Sequence, residues 1–86
     1  MSDGPAGIDD TILALLAARA PGKTVSPEDV ARAFAADSQW HAHLGAVRRA
    51  AVRLALAGRL VIYRKGKPAD PADFKGVYRL GLPHHD

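Results

Sequence analysis

The apolar residues change their spacing in the segment GRLVIYRKGK, residues 58–67. Before Gly58 they recur every three or four residues, as on one face of a helix, whereas after it Leu60 and Ile62 alternate with Val61 and Tyr63, as on the two faces of a strand. Glycine is common directly after a helix, because it adopts the left-handed conformation of a C-terminal cap without strain. The segment therefore predicts the end of a helix at Ala57 and the start of a strand at Leu60.

Upstream of Gly58, a single long helix is predicted from near Trp40 to Ala57. A helical wheel divides it into two faces. The core-facing stripe contains Leu44, Val47, Ala51, Leu54 and Ala55. The opposite face contains Ala42, Ala46, Arg49 and Arg53, with Arg48 at the edge of the stripe. Small residues beside long guanidinium side chains would let this face approach a groove closely.

Two shorter helices precede the long one. The first is predicted from Ile8 to Arg19, with a stop at Pro21-Gly22. After an extended stub at Thr24-Val25, Ser26 is an expected N-cap and Pro27 suits the first position of a second helix of about ten residues. We expect this second helix to bury Val30, Ala33 and Phe34.

A second strand is predicted at residues 77–82, and the connection from 64 to 76 is too long for a tight hairpin. We expect this connection to be a wing with a flexible basic tip at 64–67 and with Phe74 folded back as an anchor. The order is then helix, extended stub, helix, helix, strand, wing, strand. It predicts a mostly α fold with a small antiparallel β-hairpin, an α+β winged helix-turn-helix.

The 86 residues are enough for one domain, predicted at 8–82, between a flexible N-terminus at 1–7 and a flexible C-terminal tail at 83–86. The chain has no cysteine, no secretory signal pattern and no apolar run that could span a membrane, so a cytoplasmic protein is expected. The larger side chains expected in the core are Ile8, Ile12, Leu15, Leu16, Val30, Phe34, Leu44, Val47, Leu54, Leu60, Ile62, Phe74 and Leu80.

The chain resembles a family of small bacterial winged-helix domains of unknown function, sometimes joined to a cysteine-rich, zinc-ribbon-like segment that is absent here. The resemblance covers roughly Ile8 to Pro83 and is carried by four segments. They are ILALLAAR at 12–19, GKTV at 22–25 with PEDVAR at 27–32, AAVRL at 50–54 with Gly58-Arg59, and KGKP at 65–68 with FKG at 74–76. It implies the fold and no activity. Relatives often carry cysteine where Ser26 stands and proline where Val77 stands.

The positive charge lies in the second half of the chain. Residues 1–40 carry three basic and six acidic residues, a net charge of −3, whereas residues 41–82 carry nine basic and two acidic residues, a net charge of +7. Such asymmetry within one domain is typical of a surface that binds phosphates. The predicted function is therefore nucleic-acid binding, with double-stranded DNA as the expected partner, through the third helix and the wing. The candidate binding residues are Arg48, Arg49, Arg53, Arg64, Lys65, Lys67 and Lys75.

The alternative is a protein-interaction adaptor of the same fold, because Leu13, Val52 and Leu56 lie off the stripes that a core requires.

We expect no catalytic site, cofactor or metal, because no nucleophile with a base or glycine-rich phosphate loop is present and His41 and His43 diverge on a helix. A monomer or weak homodimer is expected. Trp40 is expected to close the core between the second and third helices rather than to stack on a base.

Overall fold

Three α-helices precede a small antiparallel sheet in the computed structural model, which describes residues 7–19, 22–35 and 38–83. The predicted element order and the mostly α, α+β class are confirmed. The predictions for residues 1–6, Pro21 and the tail at 84–86 lie outside the described residues. The elements are α1 (Ile8–Ala18), α2 (Pro27–Phe34), a 3-10 helix (Ser38–His43), α3 (Leu44–Leu56), β1 (Val61–Arg64), β2 (Lys67–Pro68) and β3 (Arg79–Gly81).

The start of α2 follows the local chemistry of its first four residues. The backbone N–H of Asp29 donates to the hydroxyl of Ser26 over 3.0 Å, and the backbone N–H of Ser26 donates back to the Asp29 carboxylate over 3.1 Å. Pro27 occupies the first turn, where no N–H is needed. The hydrogen bond from the Ser26 backbone lowers the pKa of Asp29 below its usual value, so this cap stays charged at neutral pH.

The prediction of one continuous third helix from Trp40 to Ala57 is wrong at its beginning. Residues Ser38–His43 form a 3-10 helix, and the α-helix begins only at Leu44. In a 3-10 helix, side chains three residues apart lie above one another. Trp40 and His43 therefore share a side, where Arg32 of α2 lies 4.6 Å from the Trp40 ring centroid and Phe34 meets the His43 ring edge-on at 5.1 Å. Trp40 thus packs between α2 and the start of α3, as predicted.

The buried side of α2 also differs from the prediction. Val30 is buried, but the second buried residue of the helix is Ala31, whereas Ala33 and Phe34 are exposed. The helix has eight residues, against about ten predicted, and ends at Phe34. The Phe34 ring consequently lies at the end of the helix against His43 rather than in the core.

The sheet has the order β2-β1-β3 and is antiparallel throughout. Val25 extends it through an isolated bridge to Leu80, which confirms the extended stub. The connection between β1 and β3 is long, as predicted, but it is not a loop throughout, because Arg64 pairs directly with Lys67 of β2 across a two-residue turn. Lys65 and Gly66 both have positive φ, 53° and 80°, which matches the twist that tight hairpins require.

The core lies between the three helices and one face of the sheet. Nine of the predicted core residues are buried, including Phe74, which anchors the chain between β2 and β3 as expected. Val25 and Tyr78 were not predicted in the core and are buried there. Among the described residues, no helix is long and apolar enough to cross a lipid bilayer.

Candidate nucleic-acid interface

Arg49 lies exposed on α3, on the side facing away from the core. Its Nη1 atom lies 3.4 Å from the position that a Cβ atom on Gly45 would occupy, so the side chain lies back along the first turn of the helix. Within the described part of the chain, Arg49 has neither an ion pair nor a hydrogen bond. Its charge is thus directed to solvent beside an exposed glycine.

Arg53, one turn further along α3, is engaged by α1. Its Nη2 atom lies 2.8 Å from a carboxylate oxygen of Asp9. Both side chains remain partly exposed, so the ion pair stabilises the packing of α1 on α3 only modestly. Arg49 and Arg53 therefore share a face of the helix as predicted, but the charge of Arg53 is already balanced.

Arg48 faces the segment that leads into β3 rather than solvent. Its Nη2 donates a hydrogen bond to the Phe74 carbonyl, and its guanidinium carbon lies 4.0 Å from the Phe74 ring centroid and 5.9 Å from that of Tyr78. The two aromatic rings meet edge-on at 5.1 Å. Burial raises the pKa of Tyr78 above its usual value, and the nearby charge of Arg48 partly opposes this effect. Arg48 thus joins α3 to the chain that precedes β3.

Arg64 has a similar structural contact on the other side of that chain. Its Nε donates to the Val77 carbonyl over 3.1 Å. A Cβ atom on Gly76 would lie 2.9 Å from Arg64 Nη2, so the guanidinium rests directly on this glycine. Gly76 has φ of +83°, a conformation that glycine adopts without strain. Arg48 and Arg64 therefore hold the two ends of the segment 74–77, through the carbonyls of Phe74 and Val77.

The three candidate lysines are exposed and carry no ion pair within the described residues. Lys65 lies in the two-residue turn of the hairpin, and Lys67 follows it in β2. Lys75 follows the buried anchor Phe74 and precedes Gly76. Together with Arg49, these lysines are the candidate residues that have neither an ion pair nor a side-chain hydrogen bond among the described residues.

An apolar groove of about 690 Å³ runs between the start of α2, the start of α3 and the segment 76–79. Trp40, Leu44 and Gly45 line one side, and Gly76 and Val77 line the other. The groove connects the helix that carries Arg49 to the segment that carries Lys75. Arg49 and Lys75 adjoin the groove in sequence but do not line it, and its charged lining residues are Glu28, Arg48 and Arg79.

The ion pairs confirm that the two halves of the chain differ. The acidic partners in all three ion pairs of the described residues come from the first forty positions, namely Asp9, Glu28 and Asp29. Of the nine basic residues between 41 and 82, Arg53 alone has a carboxylate partner in the described part of the chain. The positive charge predicted from the sequence is therefore largely uncompensated.

The apolar residues considered for a protein partner differ in exposure. Leu13 and Val52 are half-buried and pack against the core, whereas Leu56 is 68% exposed. Leu56 lies at the end of α3. The described residues contain no cluster of three or more side chains suited to hold a metal ion.

Sequence reasoning did not select Arg79 and Tyr63 as site residues. Arg79 donates from Nε to the Thr24 hydroxyl over 2.6 Å and from Nη2 to the Thr24 carbonyl over 3.3 Å. Tyr63 pairs with Arg79 across the two strands. The sequence did not indicate which face of the sheet Tyr63 occupies. The burial of the neighbours Ile62 and Leu80 places both side chains on the outer face, and the strand register brings them together.

The comparison with protein families gives one match. A family model described as a protein of unknown function, DUF3253, matches residues 5–83. The match includes all the residues of the candidate interface. No curated protein matches the chain.

Proposed function

The chain belongs to the DUF3253 family of proteins of unknown function, and we propose that it is a winged-helix module that binds double-stranded DNA through α3 and the basic turn between β1 and β2. The observation that carries this proposal is the uncompensated positive charge. Eight of the nine basic residues between 41 and 82 have no carboxylate partner among the described residues. Among these eight, Arg49, Lys65, Lys67 and Lys75 are exposed and have no side-chain hydrogen bond within the described residues. Such cations attract a polyanion and release its counterions on binding.

Within this proposal, α3 enters the major groove and Arg49 contacts a base edge or a phosphate. The exposed Gly45 supports a close approach, because it adds no side chain of its own and the Arg49 guanidinium that lies over it can contact the DNA. Arg53 contributes less, since binding through it would break its contact with Asp9. Arg48 and Arg64 position the segment that carries Lys75.

The conformation of Lys65 gives independent support. A lysine with φ of +53° is strained, and glycine or asparagine would fit this turn position better. Strained residues cluster at functional sites, where the side chain has a use that offsets the strain. In our proposal, that use is a phosphate contact from the tip of the hairpin, with Lys67 and Lys75 as further phosphate contacts.

The direct test is a fluorescence-anisotropy titration of labelled random-sequence duplex DNA at low and at physiological salt, with single-stranded RNA as a second probe. We expect duplex binding that weakens steeply with salt, as phosphate neutralisation requires. Arg49→Ala with Lys75→Ala should weaken duplex binding roughly 30- to 900-fold, because each of the two lost contacts is worth about 1–2 kcal/mol.

Arg59→Gln is the matched control for the loss of one positive charge. Arg59 is exposed, is not one of the proposed contact residues and has no ion pair or side-chain hydrogen bond in the described part of the chain. Its replacement should change duplex affinity by less than about threefold. If the folded protein binds neither duplex nor RNA at low salt, the proposal is wrong, and a protein partner near Leu56 becomes the next hypothesis. Binding that Arg59→Gln reduces as much as the double variant would also contradict the proposed interface.

Lys65→Asn should separate stability from binding. Asparagine tolerates positive φ and precedes Gly66 in the pair that tight hairpins favour, so the variant should be more stable by roughly 0.5–1 kcal/mol. It also removes one phosphate contact, which should reduce the salt dependence of duplex binding by about one counterion. Urea denaturation and the salt titration measure the two effects. A variant that is more stable and binds DNA as before would exclude Lys65 from the interface.

A further inference from the structure

The outer face of the sheet carries a second cavity, of about 460 Å³, separate from the groove beside α3. Ile62 and Leu80 of the paired strands are buried beneath the sheet, so their neighbours Tyr63 and Arg79 lie on the opposite face. The loop 22–24, the hairpin turn at 65–66 and the end of β3 surround them. The segment 77–79 separates this cavity from the groove, since it borders both.

Three positive charges from three different segments meet at this cavity. Lys23 comes from the loop before α2, Lys65 from the hairpin turn and Arg79 from β3, and no carboxylate is among the described residues that line it. Lys23 and Lys65 are exposed and have no ion pair within the described part of the chain. Asp29, which forms an ion pair with Arg19, is not part of the lining, but it lies close enough for the charge of Arg79 to lower the pKa of Asp29. Lys23 and Lys65 therefore supply the uncompensated charge of the cavity, and convergent cations are the expected lining of an anion site.

The guanidinium of Arg79 is held in place before any ligand arrives. Thr24 accepts hydrogen bonds from Nε at 2.6 Å and from Nη2 at 3.3 Å, the first through its hydroxyl and the second through its carbonyl. These two bonds leave Nη1 with its donors available within the described residues. A planar guanidinium fixed in this way loses little conformational freedom when it binds a phosphate oxygen.

The remaining walls are aromatic and apolar. A Cβ atom on Gly81 would lie 2.9 Å from Tyr63 Cε2 and 3.4 Å from the Thr24 methyl, so the tyrosine ring closes directly over this glycine. Val77 and Leu82, also in the lining, are 84% and 46% exposed. A ligand with a flat apolar body would cover these side chains and contact the Tyr63 ring.

We propose that this cavity binds a phosphomonoester with a planar aromatic body, of the size of a nucleoside monophosphate. Lys23, Lys65 and Arg79 bind the phosphate, and Tyr63 contacts the ring. The volume lies in the range of small-molecule sites, roughly 300–1,000 Å³, and is too small for a duplex. The proposal does not rest on DNA binding, although Lys65 belongs to both surfaces.

The test is a calorimetric titration of the full chain with adenosine monophosphate, ribose 5-phosphate and inorganic phosphate. We expect saturable binding in the order adenosine monophosphate, ribose 5-phosphate, phosphate, because the ring adds contacts to those of the anion. Lys23→Gln should weaken all three by about tenfold, as expected for one charge-assisted contact. Tyr63→Leu should weaken adenosine monophosphate alone and remove its advantage over ribose 5-phosphate.

Arg59→Gln is again the matched control and should leave the three affinities unchanged. The proposal is wrong if adenosine monophosphate does not saturate the folded protein at millimolar concentration. It is also wrong if Lys23→Gln and Arg59→Gln reduce the affinity for adenosine monophosphate equally. The two proposals fail separately, because Arg49→Ala with Lys75→Ala tests DNA binding alone, whereas Lys23→Gln and Tyr63→Leu test the cavity. Thermal unfolding establishes that each variant is folded.

Discussion

Replacing Leu80 with alanine is expected to destabilise the protein by about 2–5 kcal/mol, the range for a large aliphatic side chain truncated in a packed core. Leu80 is fully buried, faces Ile62 across the sheet and exchanges two backbone hydrogen bonds of 2.8 Å with Val25. Its side chain thus lies where the extended stub, β1 and β3 meet. A domain of this size has a total stability of roughly 5–10 kcal/mol, so the variant should be close to unfolding at ordinary temperature.

Urea denaturation followed by circular dichroism measures this cost. Leu56→Ala is the matched control, because it removes the same atoms from a side chain that is 68% exposed, and it should change the stability by less than about 0.5 kcal/mol. A cost at Leu80 no larger than the cost at Leu56 would contradict the described core. Because β1 and β3 also form part of the cavity on the outer face of the sheet, partial unfolding of Leu80→Ala should weaken the binding of adenosine monophosphate as well.

The sequence predicts best those features whose cause is local. The start of α2 follows from Ser26, Pro27 and Asp29, which are adjacent in the chain and form the cap among themselves. The change to a period of two after Gly58 likewise predicts β1 without knowledge of its partners. Phe74 could be predicted as an anchor because it is a large apolar residue inside a polar connection. In each case the residues involved lie within a few positions of one another.

The features that the sequence did not predict depend on partners distant in the chain or on backbone geometry. Arg53 and its partner Asp9 are 44 positions apart, and Arg79 and its partner Thr24 are 55 apart. A helical wheel assigns both Arg49 and Arg53 to the exposed face and cannot show that one of them meets an acidic residue of α1. The candidate interface was therefore predicted as a set of charges, whereas the structure distinguishes free cations from those that hold the fold.

The sequence contains a signal for the tight hairpin, but the lack of an apolar run directly after it favoured a loop. Lys65 and Gly66 form a plausible two-residue turn because glycine accepts positive φ at the second position. The next alternating apolar run begins only at Val77, so the whole connection was interpreted as one loop. The partner strand β2 has just two residues, one of them Pro68, and proline rarely indicates a strand.

Arg48→Ala should distinguish a structural arginine from a DNA contact, with an expected loss of about 2 kcal/mol of stability. The variant removes a hydrogen bond from a charged group to the Phe74 carbonyl, worth about 1.5–3 kcal/mol, and a cation–π contact with the Phe74 ring. Partial exposure of Arg48 reduces their sum. Arg48→Lys keeps the charge but not the planar guanidinium, so it should recover only a small part of the lost stability.

The measurement combines urea denaturation with duplex titration of the folded variants, and Arg49→Ala is the control at the adjacent position. Arg49 has no side-chain contact within the described residues other than the first turn of its own helix, so its loss should change the stability by less than about 0.5 kcal/mol while duplex binding weakens. Arg48→Ala should show the opposite pattern, because its guanidinium is occupied by Phe74 and is not free to bind a phosphate. If Arg48→Ala instead keeps its stability and loses DNA affinity as Arg49→Ala does, Arg48 binds DNA directly and the contact with Phe74 does not hold the segment that carries Lys75.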